Sequence, residues 1–325
     1  MNKLTKKRKF YALEKLLALA VLVLLYIFFS IFGENFFSSG ALVNILDSCY
    51  YIGFMAIGTT FVIITGGIDL SIGTNLICSA MFGGAAYNLW GWSIEASLIL
   101  AVIVGTLIGV LNGYLIAHIK LPPFIATLGT QMMTMGLGAI ITKVMTMRYP
   151  TVGSEDAWFK SVFYKYNGFP TGILWLIGFF ILGLILLNKT RFGRYTFAIG
   201  SGREVARLSG INVKRYELLI YTLCGFFAGL GAIFYAAAYT SIIPSTGNGF
   251  ELLAIAGVVI GGTSMSGGTG SLSGTMIGVL VMAVLKQGLM SMGLQGQWQN
   301  LFTGIVVILA VMLDIQRTTK QKKAG

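Results

Sequence analysis

The sequence predicts an all-α integral membrane protein, a polytopic helical bundle of about ten transmembrane helices with N and C termini cytoplasmic. Three observations predict it. Charge is scarce: 56% of the 325 residues are hydrophobic and 10% charged, with a mean hydropathy of +0.81. A soluble chain carries about 25% charged residues and needs them to cover its surface. Apolar runs then succeed one another, most of them near the ~20 residues that cross hydrocarbon as a helix. Finally, the basic residues are segregated. The formal net charge is +12, and 18 of the 23 Lys and Arg fall in segments that an even number of spans places on the side of the N-terminus. The positive-inside rule makes that side the cytoplasm, and it accounts for the charge without nucleic acid.

In chain order, Lys3, Lys6, Lys7, Arg8, Lys9 and Lys15 make residues 1–15 a basic N-terminal segment ahead of the apolar run Leu16–Phe32. The run is long for a signal-peptide core, and Gly33-Glu34-Asn35-Phe36-Phe37 has no small-residue cleavage site, so it reads as an uncleaved first span. Further spans are expected near 46–66, 69–89, 94–117, 123–142, 171–188, 218–238, a short one at 251–263, then 271–292 and 298–314. Pro122-Pro123 suits a helix entry. Residues 16–314 are thus expected to form a single transmembrane domain with a cytoplasmic loop at 189–217, followed by a basic tail at 315–325. The abundance of glycine within the spans suits close helix packing in lipid.

One loop strains this topology. Residues 143–170 would lie outside yet carry Lys143, Arg148, Lys160 and Lys165; their aromatic residues suit a surface helix or an interfacial cap. Lys286, toward the outer end of its span, can snorkel. Cys49, Cys78 and Cys224 sit in apolar runs and read as packed thiols; with His118 the only histidine, neither a disulfide framework nor a metal site can be built. The same scarcity argues against a membrane-embedded enzyme, and no catalytic residue is expected.

Three stretches carry functional signal. The first is Thr65–Asn75, T-G-G-I-D-L-S-I-G-T-N, with Asp69 between two apolar runs, preceded by Gly66 and Gly67 and followed by Ser71 and Asn75. An ionisable group near membrane depth is a functional candidate; capping of the next helix at a glycine break is the alternative, and the two are compatible. The second is 200–211, G-S-G-R-E-V-A-R-L-S-G-I, expected to form a short helix with Ser201 as N-cap, Glu204 completing a capping box and Gly210 as the stop. So short a helix needs something to pack on. It either docks a cytoplasmic partner or lies on the membrane surface. The third is the glycine-rich 257–271. It holds no Lys, and no G-x-x-x-x-G-K-[ST] loop occurs in the chain, so an ATPase site of its own is not expected. V-I-I-T-G-G at 62–67 and V-V-I-G-G-T at 258–263 place a Gly-interrupted segment in each half, a pointer to a transport path. Gly66, Gly67, Asp69, Ser71, Asn75, Gly261 and Gly262 are the gating or path candidates.

Together G-G-I-D-L-S-I-G at 66–73, L-P-P-F-I-A-T-L-G-T at 121–130, N-K-T-R-F-G-R-Y-T-F-A-I-G at 188–200, A-R-L-S-G-I-N-V at 206–213 and V-I-G-G-T-S-M-S-G-G-T-G at 259–270 resemble, in order and spacing, bacterial ABC importer permeases of the ribose/galactoside (monosaccharide) class. The resemblance implies a multi-pass protein of the bacterial cytoplasmic (inner) membrane that carries a ribose-like pentose or hexose inward. It implies a second permease chain, identical or different, a cytoplasmic ATP-binding subunit holding ATP and Mg, and an extracytoplasmic sugar-binding protein. No cofactor falls to this chain. Glu204-Val205-Ala206 followed by Gly210 is similar to the E-A-A-x-x-x-G pattern of permease coupling loops, with Val205 departing at the second position. This favours docking for Ser201, Gly202, Arg203, Glu204, Val205, Ala206, Arg207 and Gly210. The topology then puts Gly66–Asp69 at the cytoplasmic ends of two spans, which favours a capping or gating role for Asp69 over contact with sugar. The alternatives are an ion-coupled secondary carrier, for which Asp69 is the one strong relay candidate, and an ABC permease for branched-chain amino acids.

Overall fold

The computed structural model describes residues 3–294 and 296–324, with side chains described over 15–294 and 296–316. The elements run α1 Lys3–Phe32, α2 Ser39–Ile64, α3 Ile72–Asn88, α4 Ile94–Ala117, α5 Pro123–Ile141, β1 Met147–Arg148, α6 Trp158–Phe163, α7 Gly172–Lys189, α8 Arg191–Ser201, α9 Arg203–Leu208, α10 Val213–Tyr239, β2 Ser241–Ile242, α11 Phe250–Ile260, α12 Leu272–Ser291 and α13 Gln297–Ala324. The all-α class holds. Of the about ten expected spans, eight are matched, among the described residues, by helices long and apolar enough to cross a membrane. The other two expected spans are α3, 17 residues, and α11, 11 residues. At 1.5 Å per residue these rise only ~26 and ~17 Å, short of a ~30 Å hydrocarbon core.

The missing length lies in turns. Gly66 takes φ +75° after α2, and Gly262, Gly267 and Gly268 take φ +89°, +80° and +75° after α11. These conformations end a right-handed helix and suit glycine. Irregular backbone deep in a membrane protein is tolerated where protein covers it, and Gly67, Asp69, Ser71, Thr263 and Ser264 are all buried.

The centre of the bundle is a backbone-on-backbone crossing. Gly105, Gly109 and Gly113 line one face of α4, and Gly225 and Gly229 face them from α10. A Cβ added at Gly105 would lie 2.7 Å from the Cα of Gly229, and one at Gly229 2.8 Å from the Cα of Val102. Helices meet this closely only when small residues repeat every fourth position. Gly257 and Gly261 of α11 meet Gly278 and Gly274 of α12 in the same way. α2 packs on both systems, touching α10, α11 and α12, and from Ser48 to Ile64 it is buried throughout. The outward faces of α1, α4, α5, α7 and α13 stay apolar, with Leu24, Ile99, Ile140, Leu182 and Ile308 about half exposed or more.

Residues 143–170 form a cap. β1 pairs antiparallel with β2, Met147 opposite Ile242, and α6 buries Phe159 against Tyr149 with ring centroids 5.7 Å apart. The Tyr164 hydroxyl donates to Asp47 of α2 at 3.2 Å, and burial together with that carboxylate pushes its pKa up to about 12. Burial lowers the pKa of Lys160 beside it.

Candidate coupling and gating site

α7 ends where Thr190 turns extended, and its hydroxyl accepts from the Gly193 amide at 3.3 Å to start α8. Thr, extended at an N-cap, satisfies one of the free first-turn amides. α8 then buries Thr196 and Ile199 and carries Gly200 into the bundle. The single helix expected from residue 201 is in fact the end of one helix and the whole of a second. Ser201 closes α8, its hydroxyl donating back to the Phe197 carbonyl at 2.9 Å, as serine does inside a helix. Gly202 is the break, and the N-cap position of α9 is its own. Glu204 does not return to a backbone amide. It pairs with Arg207 on the next turn at 2.6 and 3.1 Å, and that guanidinium lowers its carboxyl below the usual glutamate range. Gly210 does end the turn, at φ +83°.

α9 presents two faces. Ala206 is buried, whereas Val205 and Leu208 are 70% and 75% exposed, beside the exposed Glu204–Arg207 pair. Two apolar side chains held out at the tip of a polar turn form a small contact surface. α9 is anchored to the bundle by an ion pair from Arg203 to the buried Glu217 of α10.

Behind α9, the three stretches singled out in the sequence converge. The Gly268 amide donates to the Ile64 carbonyl at 2.8 Å, joining the end of α2 to the turn after α11. Gly200 fits against the same two groups, the Ile64 carbonyl and the Gly268 amide, with no room for a Cβ. A Cβ at Gly267 would come within 2.9 Å of both the Gly200 carbonyl and the Gly66 amide, and one at Gly268 within 2.8 Å of the Ser201 hydroxyl. The end of α8 therefore touches both glycine breaks at once, through backbone on every side. A displacement of the α8–α9 turn reaches both breaks without passing through a flexible side chain.

The path candidates are spread around this junction. Asp69, 1% exposed, accepts from the Ser71 amide at 2.9 Å and the Ser71 hydroxyl at 2.7 Å through one oxygen. The Ser71 hydroxyl accepts from Asn112 at 2.8 Å, and Asn112 from Thr130 at 2.7 Å, so a buried polar chain links the α2–α3 turn to α4 and α5. Asp69 thereby holds Ser71, the residue immediately before α3. Asn75 donates to the Gly105 carbonyl at 3.1 Å and accepts from Ser79, tying α3 to the glycine face of α4. Gly66 and Gly67 lie at the junction, Gly67 closed in by the Tyr221 hydroxyl, which donates to the Ile68 carbonyl at 3.2 Å. Gly261 is packed against α12, and Gly262 forms the turn. Glu217 and Tyr221 are partners that the sequence did not single out. The available signal was a carboxylate, and a tyrosine one turn later, at the start of an apolar run. Among the described residues no group of three or more His, Cys, Asp or Glu is gathered to hold a metal.

The family model described as branched-chain amino acid transport system, permease component, matches residues 41–311. The chain is 36% identical over 314 residues to the ribose import permease protein RbsC of Escherichia coli strain K12, covering 94% of this chain and 95% of that one. It is 38% identical over 309 residues to RbsC of Bacillus subtilis strain 168, covering 94% of each. To the fructose import permease protein FrcC of Rhizobium meliloti it is 35% identical over 301 residues, covering 91% of this chain and 84% of that protein. No solved structure matches the chain significantly.

Proposed function

We propose, since the chain belongs to this family of ABC transport permeases, that it is the transmembrane permease subunit of an ATP-driven importer of a ribose-like pentose or hexose, multi-pass in the inner membrane. The near full-length likeness to ribose and fructose import permeases carries this reading. The junction of Gly200, Ile64 and Gly268 supplies a mechanism consistent with it. A separate ATP-binding subunit, holding ATP and Mg, docks on the α8–α9 turn through Val205, Leu208 and the Glu204–Arg207 pair. When that subunit closes, the turn moves and shifts the breaks after α2 and α11, which open the path to one side and then the other. A partner drives such a change only if it binds the two permease states with different free energies. An extracytoplasmic binding protein delivers the sugar, and a second permease chain completes the complex.

The test is uptake by the chain reconstituted in vesicles with its ATP-binding subunit and binding protein, across a panel of pentoses, hexoses and leucine. ATP-dependent uptake of a monosaccharide is expected. Uptake of leucine and of no sugar overturns the reading in favour of amino acid transport, the substrate that the family's description names.

A further inference from the structure

The two glycine breaks that meet Gly200 are held in different ways. The break after α2 is fastened from inside the bundle: Asp69 is bonded to Ser71, Ser71 to Asn112 of α4, and the Ile68 carbonyl to the Tyr221 hydroxyl of α10. Thr65, Gly67, Asp69 and Ser71 are buried, and α2 before them is buried from Ser48 onward. The break after α11 is looser. Thr263 and Ser264 are buried, but none of residues 265–270 is, and Ser266 is exposed. Two of its ties lead outward, to the first and last helices of the chain. One oxygen of Asp314, on α13, accepts from the Ser264 hydroxyl at 3.1 Å and from the Met265 amide at 3.0 Å. Just past the other end of the turn, Lys15 of α1 donates to Ser273 at 2.6 Å. Both helices turn apolar residues outward, with Leu24, Ile31, Ile308 and Leu309 more than half exposed. The Ser264 carbonyl in turn accepts from the Gly267 amide at 3.1 Å, and Gly267 is one of the residues packed on Gly200. A short chain, Asp314 to Ser264 to Gly267, thus joins α13 to the junction.

We propose that the break after α11 takes most of the displacement when the α8–α9 turn is pushed, with the break after α2 as its fixed seat, and that Asp314 is the positioning residue through which α13 moves with it. The inference rests on the coupling role argued above and names which half of the gate moves. The reason is the cost of repacking. The second half of α2 lies among protein, and interiors are packed so densely that any shift must be absorbed by every neighbour. α13 has an open apolar face, and small sliding of packed helices is an ordinary form of conformational change. A push from Gly200 meets the Ile64 carbonyl and the Gly268 amide together, so it displaces the one that is held less firmly. Asp314 makes that motion definite. It ties Ser264 to a helix that moves as a rod, so the turn passes between two geometries instead of loosening.

The test uses the complex of the chain with its ATP-binding subunit and binding protein, in lipid nanodiscs for labelling and in vesicles for uptake. Cys49, Cys78 and Cys224 are at most 2% exposed and give a thiol reagent little background. Ser266→Cys reports the break after α11, and Leu70→Cys, at a half-buried position, the break after α2. Between the nucleotide-free complex and one holding a non-hydrolysable ATP analogue, labelling of Ser266→Cys changes about five-fold, because its rate follows how open the turn is, while that of Leu70→Cys stays level. Adding Asp314→Ala to Ser266→Cys removes the difference between the two states. Alone, Asp314→Ala lowers sugar uptake per ATP hydrolysed about five-fold, the equivalent of one neutral hydrogen bond. Asp314→Asn restores both readings, since its carbonyl oxygen accepts from Ser264 and Met265 alike. Merely structural damage lowers uptake and hydrolysis in step and leaves their ratio unchanged. Labelling at Leu70→Cys that responds to nucleotide as strongly as at Ser266→Cys overturns the division between the breaks, whether or not Asp314→Ala inserts. An unchanged ratio in Asp314→Ala overturns the role of Asp314. Absence of any ATP-dependent uptake by the wild-type complex overturns instead the coupling reading on which the inference rests.

Discussion

Asp69 shows how one residue type can carry two messages. Its acidity marked it as costly at depth, but the structure gives it two donors from Ser71 and a polar chain of neutral groups beyond. Both donors reach the same oxygen, which an asparagine carbonyl reproduces. Asp69→Asn is therefore expected to retain uptake within about three-fold, and Asp69→Ala to lose about 1–3 kcal/mol of stability as the buried Ser71 donors go unmet. Thermal unfolding of the purified permease, followed by size exclusion, checks the second outcome. A complete loss of uptake in Asp69→Asn, with unfolding unchanged, would return this carboxylate to the path. The sequence made Asp69 and its glycines visible because each breaks an apolar run. It could not show Gly200, whose role depends on the Ile64 carbonyl more than a hundred residues away. Gly200→Ala should cut sugar-stimulated ATP hydrolysis and uptake together by at least ten-fold while the permease still inserts, since the added carbon wedges α8 off the end of α2. Normal coupling in that variant would separate the α8 end from the gate.

At the scale of elements, the helices were more legible than their ends. The span expected from residue 69 starts at Ile72, because residues 69–71 form the turn before α3, and the short span expected at 251–263 ends at Ile260. The one short helix expected within 200–211 is replaced by the end of α8, Arg191–Ser201, and the whole of α9, Arg203–Leu208. Ser201 and Glu204 make a plausible capping box on paper, but Gly202 is the residue that leaves the helical conformation. The anchor of α9 was equally hidden, because Glu217 becomes informative only once Arg203 is beside it. Arg203→Ala should strand a buried carboxylate. Removing one partner of a fully buried pair costs about 3–5 kcal/mol, and because the Arg203 side chain is 53% exposed, water takes part of that loss and about 1–2 kcal/mol is expected. Glu217→Gln in the same chain should restore most of the lost unfolding temperature. If it restores stability without coupling, the ion pair orients α9 for its partner as well as holding it.

For the molecule as a whole, glycine serves both close packing and helix breaks. α4 and α10 meet backbone to backbone, so Gly225→Leu should abolish the inserted fold. The intruding side chain meets the backbone of Gly105 and Gly109, and the penalty exceeds the ~1–3 kcal/mol of ordinary overpacking. The breaks after α2 and α11 are the complementary device, two interruptions that share one contact with a turn outside the bundle. In the proposed mechanism the drive comes from whatever pushes the turn, which distinguishes it from a self-sufficient ion-coupled carrier. A carrier needs ionisable groups in relay along the path. Asp69 opens onto Ser71, Asn112 and Thr130, none of which ionises, and the next buried carboxylate on the α11 side, Glu251, is held by an amide side chain and a backbone N–H. The chain alone, in vesicles carrying a proton or sodium gradient and no ATP, should therefore take up no sugar, while the same vesicles containing the ATP-binding subunit and the binding protein accumulate it when ATP is supplied. Gradient-driven uptake by the chain alone would mean that the buried polar chain conducts, and that the α8–α9 turn is not where the energy enters.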